Sequence, residues 1–267
     1  MSPYIAILGL GALLFSGAAR KPPLKVTGKG SKTVKASAKV TPSRHYASVD
    51  GKRILILGDS LSMLPNTPGG HLARRLVDSG AIVEVNAIGG RSAGSFLKGT
   101  NCDNGGPGGA KRCDPGPGAD QLATTIAGFD PDVAIIMLGT NDLCNVSAGG
   151  SEKSQLDAMS KIIKQLGEAG VKVVGVGPPA FPSEDQPHKF KKGKPPRVYA
   201  TGDLIATGKT FIPKLEKRYT DKGFHFIDSR LLTVDLSTMA YRPDGIHFRK
   251  GGDTWAERLA EEVAKTL

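Results

Sequence analysis

Apolar residues in this chain gather in five short runs, and between the runs they recur every three or four positions. Arg53 to Leu57, Ala81 to Ala87, Asp132 to Leu138, Val171 to Gly177 and Phe224 to Asp228 are predicted strands. The near-continuous apolar run of Asp132 to Leu138 is typical of a central parallel strand, buried on both faces. Helical spacing follows between them. Gly70 to Ser79 has Leu72 and Leu76 four apart, Asp120 to Phe129 forms a short helix, and Ser151 to Ala169 carries Leu156, Met159, Ile163 and Leu166 before Gly170 closes it. Asp203 to Lys222 is a further helix, and in the last one Trp255, Leu259, Val263 and Leu267 make a single core-facing stripe. Trp255 is accordingly expected in the core rather than on a binding surface. Strands alternating with helices at these lengths predict a parallel sheet covered on both faces.

Four polar islands punctuate this pattern. Gly58-Asp59-Ser60-Leu61, Gly89-Gly90-Arg91-Ser92 and Gly139-Thr140-Asn141-Asp142 each follow a predicted strand, and Asp244-Gly245-Ile246-His247 precedes the last helix. All four are expected at one edge of the sheet, where open α/β folds build their sites. The 267 residues, 39% hydrophobic, suffice for one well-buried domain, expected over 53–267.

The net charge of +11 suggests a nucleic-acid footprint until it is divided along the chain. Residues 1–52 hold nine basic residues, from Arg20 to Lys52, against the single acid Asp50; the other 215 residues carry only +3. The folded part has no reason on charge grounds to seek phosphate, and no specific nucleic acid is expected as partner. Residues 20–52, rich in Lys, Ser, Thr, Pro and Gly, read as a disordered tether, either a linker or an adhesive for an anionic surface. The apolar stretch Tyr4 to Ala19 would span roughly 24 Å as a helix, short of a hydrocarbon core of about 30 Å. Residues 1–19 therefore read as a signal peptide, with small residues Ser16-Gly17-Ala18 before a cut, and export is expected. The rival is an uncleaved segment associating with a membrane or a virion.

A serine hydroxyl is a poor nucleophile near neutral pH and needs a base at hydrogen-bond distance, itself oriented by a third group. Ser60, in the turn after the first strand, is the candidate nucleophile. Asp244 and His247, three residues apart around Gly245, supply an acid for one imidazole nitrogen while the other faces the serine. Attack on an ester makes an oxyanion, and the backbone N–H groups of Ser60 and Gly90 with the side-chain amide of Asn141 are candidate donors. Singly, each island has an ordinary reading as a helix cap or a turn. Gly90-Arg91-Ser92-Ala93-Gly94 also fits the Gly-x-Ser-x-Gly nucleophile elbow, but it follows only the second strand, so Ser92 is expected to brace the loop.

The four islands in this order resemble the SGNH, or GDSL, hydrolases. The resemblance implies Ser60 as nucleophile, Gly90 and Asn141 in the oxyanion hole, His247 as base and Asp244 as the acid three residues before it. It also implies a flavodoxin-like three-layer α/β/α fold, with five parallel strands in the order 2-1-3-4-5, and hydrolysis through an acyl-enzyme. Gly90-Arg91-Ser92-Ala93 followed by Ser95 is most similar to the carbohydrate acetylesterases. Two segments depart from the pattern: the loop between Cys102 and Cys113, where a disulfide is expected, and the basic insertion from Gln186 to Arg197.

No metal-ligand spacing is visible among the histidines at 45, 71, 188, 225 and 247, and neither a metal nor a cofactor is expected. The expectation is a monomeric serine esterase removing small acyl groups, O-acetyl above all, from a glycan. A lipase or thioesterase for longer chains, or an anchored structural protein that only binds glycan, are the alternatives.

Overall fold

The computed structural model describes residues 44–63, 65–103, 112–182, 201–236, 246–248 and 251–267, and of 98–103, 112–121 and 201–202 the backbone alone. The predicted N-terminal segment at 1–19, most of the tether and the basic insertion lie outside the described residues.

In chain order the elements are β1 (Arg53–Gly58), α1 (Pro68–Asp78), β2 (Ile82–Ala87), α2 (Ala93–Leu97), β3 (Lys98–Asp103), β4 (Arg112–Gly118), α3 (Ala119–Phe129) and β5 (Val133–Met137). Then follow α4 (Thr140–Ser147), α5 (Glu152–Glu168), β6 (Lys172–Val176), α6 (Thr201–Thr220), β7 (His225–Ile227), α7 (Ser229–Thr233) and α8 (Gly252–Thr266). Strands β2, β1, β5, β6 and β7 form one parallel sheet in that order, which is the expected 2-1-3-4-5 topology once the separate β3–β4 hairpin is set aside. All five predicted strands and all five predicted helices are present within a few residues of their expected ends.

The sheet separates two apolar layers. Leu55, Leu57, Ala134 and Ile136 face one layer with residues of α2, α4, α5 and α6, whereas Ile54, Ile56, Val133 and Ile135 face the other with α1 and α8. Strand periodicity of two thus sends alternate residues of β1 and β5 to opposite cores, which is why both strands read as unbroken apolar runs. Trp255 is buried in the α1–α8 layer, as its stripe predicted.

The end of the predicted tether needs correction, because residues 44–52 pack onto the domain. A 3-10 turn, Ala47–Val49, buries Val49 completely; Tyr46 N–H donates to Ser79 Oγ at 3.1 Å, and Ser48 Oγ donates to the Ala264 carbonyl at 2.7 Å. One large apolar side chain with matched backbone partners suffices to order a segment that composition alone marks as loose. The β3–β4 hairpin, unforeseen because Gly and Pro dominate it, sets Cys102 opposite Cys113 in antiparallel register. Among the described residues no helix is long and apolar enough to cross a membrane.

Candidate active site

Register decides where the islands meet. Gly58, the last residue of β1, pairs with Ala87 of β2 and with Met137 of β5, so the three strands end level and their following turns emerge at one sheet edge. After β1 the chain closes a tight turn: Ser62 N–H donates to the Asp59 carbonyl at 3.0 Å, and Leu61 N–H donates to Asp59 Oδ1 at 2.9 Å. The turn buries Asp59 and leaves Ser60 partly exposed.

His247 approaches Ser60 from the other end of the chain, with Nε2 2.7 Å from Ser60 Oγ. Its neighbours explain the placement. Ile246 packs against the α4–α6 layer, and Phe248 packs against the α1–α8 layer with its ring 5.2 Å from that of buried Trp255. Two apolar anchors on opposite sides of the sheet thus pin the histidine between them at its edge. Asp244 and Gly245 lie outside the described residues.

The turn after β2 lies against the same serine. A Cβ on Gly89 would meet Ser60 Cβ at 3.9 Å, and Gly90 takes φ +75°, a left-handed conformation open to glycine without strain. Space around Gly90 is open, with nothing within 4 Å of where a Cβ would sit. Among the described residues the backbone N–H groups of Ser60 and Gly90 take no part in the hydrogen bonds of these turns, leaving both for a ligand.

Ser92 does not share this setting. Its Oγ accepts from Ser95 N–H at 3.3 Å while Ser95 Oγ accepts from Ser92 N–H at 2.8 Å, a reciprocal cap on α2. It is the loop brace that strand order implied. Arg91 is 1% exposed, with its guanidinium 4.7 Å above the Phe96 ring and Nη1 donating to Asn86 Oδ1 at 3.1 Å. Among the described residues Nε and Nη2 have no partner, and burial lowers its pKa to about 10.

Asn141 enters through α4, an element the sequence did not disclose. Gly139 caps this helix at φ +125°, where a side chain would be strained, and its carbonyl accepts from Leu143 N–H at 2.8 Å. That puts Asn141 in the first turn. Its Nδ2 donates to Asp59 Oδ2 at 2.9 Å and to the Arg91 carbonyl at 3.1 Å, joining three islands through one amide.

Two carboxyl groups that sequence reasoning passed over lie beneath these donors. Asp59 is fully buried, and desolvation raises its pKa to about 6 against the opposing pull of Leu61 N–H, His247 and the Asn141 amide. Asp142 is 1% exposed and is raised to about 7, chiefly by desolvation and further by the Asp59 charge, although Ala93 N–H donates to it at 2.9 Å. Their adjacency to Ser60 and Asn141 in sequence was the available signal, but an aspartate after a strand ordinarily reads as a solvated turn residue.

A hydroxyl at hydrogen-bond distance from an imidazole, beside two uncommitted backbone donors and a third amide, can attack a carbonyl and stabilise the resulting oxyanion.

The fold is shared with solved ester hydrolases. A GDSL-like lipase from Bacteroides thetaiotaomicron VPI-5482 is 13% identical over 80% of this chain and 88% of its own, with a TM-score of 0.53. The acetylxylan esterase Axe2 from Geobacillus stearothermophilus, solved as a catalytic mutant, is 12% identical over 82% of this chain and 95% of its own, at 0.54. A putative acylhydrolase from Bacteroides fragilis NCTC 9343 is 16% identical over 87% and 98%, at 0.52. No curated protein matches the chain. The model of the GDSL-like lipase/acylhydrolase family matches residues 56–254, from within β1 into α8, and the chain belongs to this family of serine ester hydrolases.

Proposed function

We propose that this ester hydrolase removes small acyl groups, O-acetyl above all, from a glycan, with Ser60 as nucleophile and His247 as base. The contact of 2.7 Å between Ser60 Oγ and His247 Nε2 carries the reading. Ser60 Oγ attacks the ester carbonyl as Nε2 takes its proton. The carbonyl oxygen becomes an oxyanion facing the N–H groups of Ser60 and Gly90 and the amide of Asn141. The imidazolium returns the proton to the leaving alcohol, the ester C–O bond breaks, and an acyl-enzyme remains. Water then attacks the acyl carbon, His247 again takes and returns a proton, and free acid and Ser60 are released. On sequence grounds Asp244 orients the imidazole.

The acetyl and glycan assignment is supported by Gly90-Arg91-Ser92-Ala93 with Ser95, and by a fold shared with an acetylxylan esterase. The apolar N-terminal stretch supports action outside the cell. Acetate release from a panel of acetylated polysaccharides, compared between wild type and Ser60→Ala, tests the reading. Release by wild type alone supports it. Faster turnover of longer acyl esters in a chain-length series, with no acetate from any glycan, overturns the acetyl assignment.

A further inference from the structure

The Asn141 amide is fully committed before any substrate arrives. Nδ2 has two hydrogens, and its two acceptors are Asp59 Oδ2 at 2.9 Å and the Arg91 carbonyl at 3.1 Å. An oxyanion can receive one hydrogen only if an acceptor releases it. The acceptors are unequal. Asp59 is a fully buried carboxyl group held in place by Leu61 N–H at 2.9 Å, and a bond to its ionised form is charge-assisted, whereas the longer bond to Arg91 joins two neutral groups. The bond to the Arg91 carbonyl is the one that yields.

We propose that Asp59 is a positioning residue of the oxyanion hole: its carboxylate holds one hydrogen of the Asn141 amide throughout turnover while the other turns from the Arg91 carbonyl to the oxyanion. This rests on the reading of Ser60, His247 and Asn141 given above. Among the described residues three titratable groups act on Asp59 or feel its charge: His247 beside Ser60, and Asp142 and Cys144 from α4. Of these only His247 becomes positive during turnover. When it takes the Ser60 proton, the imidazolium favours ionised Asp59 at the moment the oxyanion needs its donor held. A preorganised donor is effective because it does not reorient from water as charge develops.

A double-mutant cycle with a chromogenic acetate ester tests the proposal. Asp59→Asn should lower kcat about 10- to 100-fold with KM little changed, and Asn141→Ala about 10²- to 10³-fold. The double variant should be no slower than Asn141→Ala by more than about twofold, since an anchor has nothing to hold once the amide is gone. Losses that multiply overturn the proposal, and a folding defect, which slows both backgrounds alike, counts against it too.

Should Asp59→Asn fail to fold, the pH profile still decides. With Asp59 raised to about 6 and its negative charge holding the amide, wild type should lose kcat/KM below about pH 6 by more than Asn141→Ala does, and Asp142→Asn should keep that excess. Parallel pH profiles in wild type and Asn141→Ala, or an excess loss that vanishes in Asp142→Asn, overturn the proposal. Turnover by Ser60→Ala, or wild-type speed in Asn141→Ala, sinks the site assignment itself. Asp59 fails alone when both of those variants are slow and the cycle is additive.

Discussion

The carboxylate of Asp142, in the first turn of α4, accepts the backbone N–H of Ala93, the first residue of α2, at 2.9 Å through one oxygen and 3.2 Å through the other. Forty-nine residues separate the two in sequence. The bond fastens the loop carrying Gly90 to the helix carrying Asn141, so two of the candidate oxyanion donors are positioned by one buried carboxyl group. Together with the contact from Asn141 to Asp59, it makes the edge of the sheet a single polar network roofed by apolar layers.

That network makes stability depend on pH. Asp142 and Asp59 are raised to about 7 and about 6, so the folded chain binds their protons more tightly than the unfolded chain does. Their contribution to stability is fully present below the unfolded carboxylate pKa of about 4 and is lost as pH rises through the folded values. Thermal melts should give a higher Tm at pH 5 than at pH 8, by an amount that shrinks in Asp142→Asn. A Tm rising steadily from pH 5 to pH 8 contradicts the assignment. Activity and stability accordingly oppose each other in mildly acidic solution.

Ser60 and Ser92 separate cleanly by mutation. Ser60→Ala should abolish turnover of a chromogenic acetate ester. Ser92→Ala should retain most of it and lower stability by about 1 kcal/mol, the ordinary worth of a helix cap, as read by denaturant unfolding. Inactive Ser92→Ala with active Ser60→Ala reverses the roles.

Trp255 is core, and replacing it tests more than packing. Trp255→Ala should cost about 3 to 5 kcal/mol on chemical denaturation. Because its ring supports Phe248, next to His247, kcat should fall as well, while the affinity for an unreactive glycan stays unchanged. Lost glycan affinity with normal stability would instead make it a binding platform.

Cys102 and Cys113 are register partners in the β3–β4 backbone pairing, and Cys144 is a buried free thiol whose pKa desolvation raises to about 12. Intact mass without reductant should be lower by two hydrogens, with one thiol alkylated after unfolding. Reduction should then destabilise the domain by about 2 to 3 kcal/mol, in keeping with a short closed loop. Alkylation of three thiols without reductant refutes the pairing.

Local pattern was enough for much of this. The strands β1, β5 and β6 are apolar runs because both faces are buried, and α5 and α8 show their stripes because only one face is. The islands containing Ser60, Gly90, Asn141 and His247 were legible since turn chemistry and motif order are properties of short segments. Elements whose order comes from elsewhere were hidden. Five-residue α2 leans on the Ser92–Ser95 cap and Asp142, α4 begins inside an island at a glycine with φ +125°, and the chain before β1 is ordered by burial of Val49.

What the sequence alone determined is the set of candidate reacting groups and the parallel sheet that orders them. Only the tertiary structure decided that Gly58, Ala87 and Met137 end level, that Ile246 and Phe248 pin His247 from opposite layers, and that Asp59 and Asp142 are buried beneath the donors. The physical reason is range. Periodicity and turn propensity act within a few residues, whereas burial of a carboxyl group, and hence its charge and its hold on an amide, depends on segments far apart in sequence.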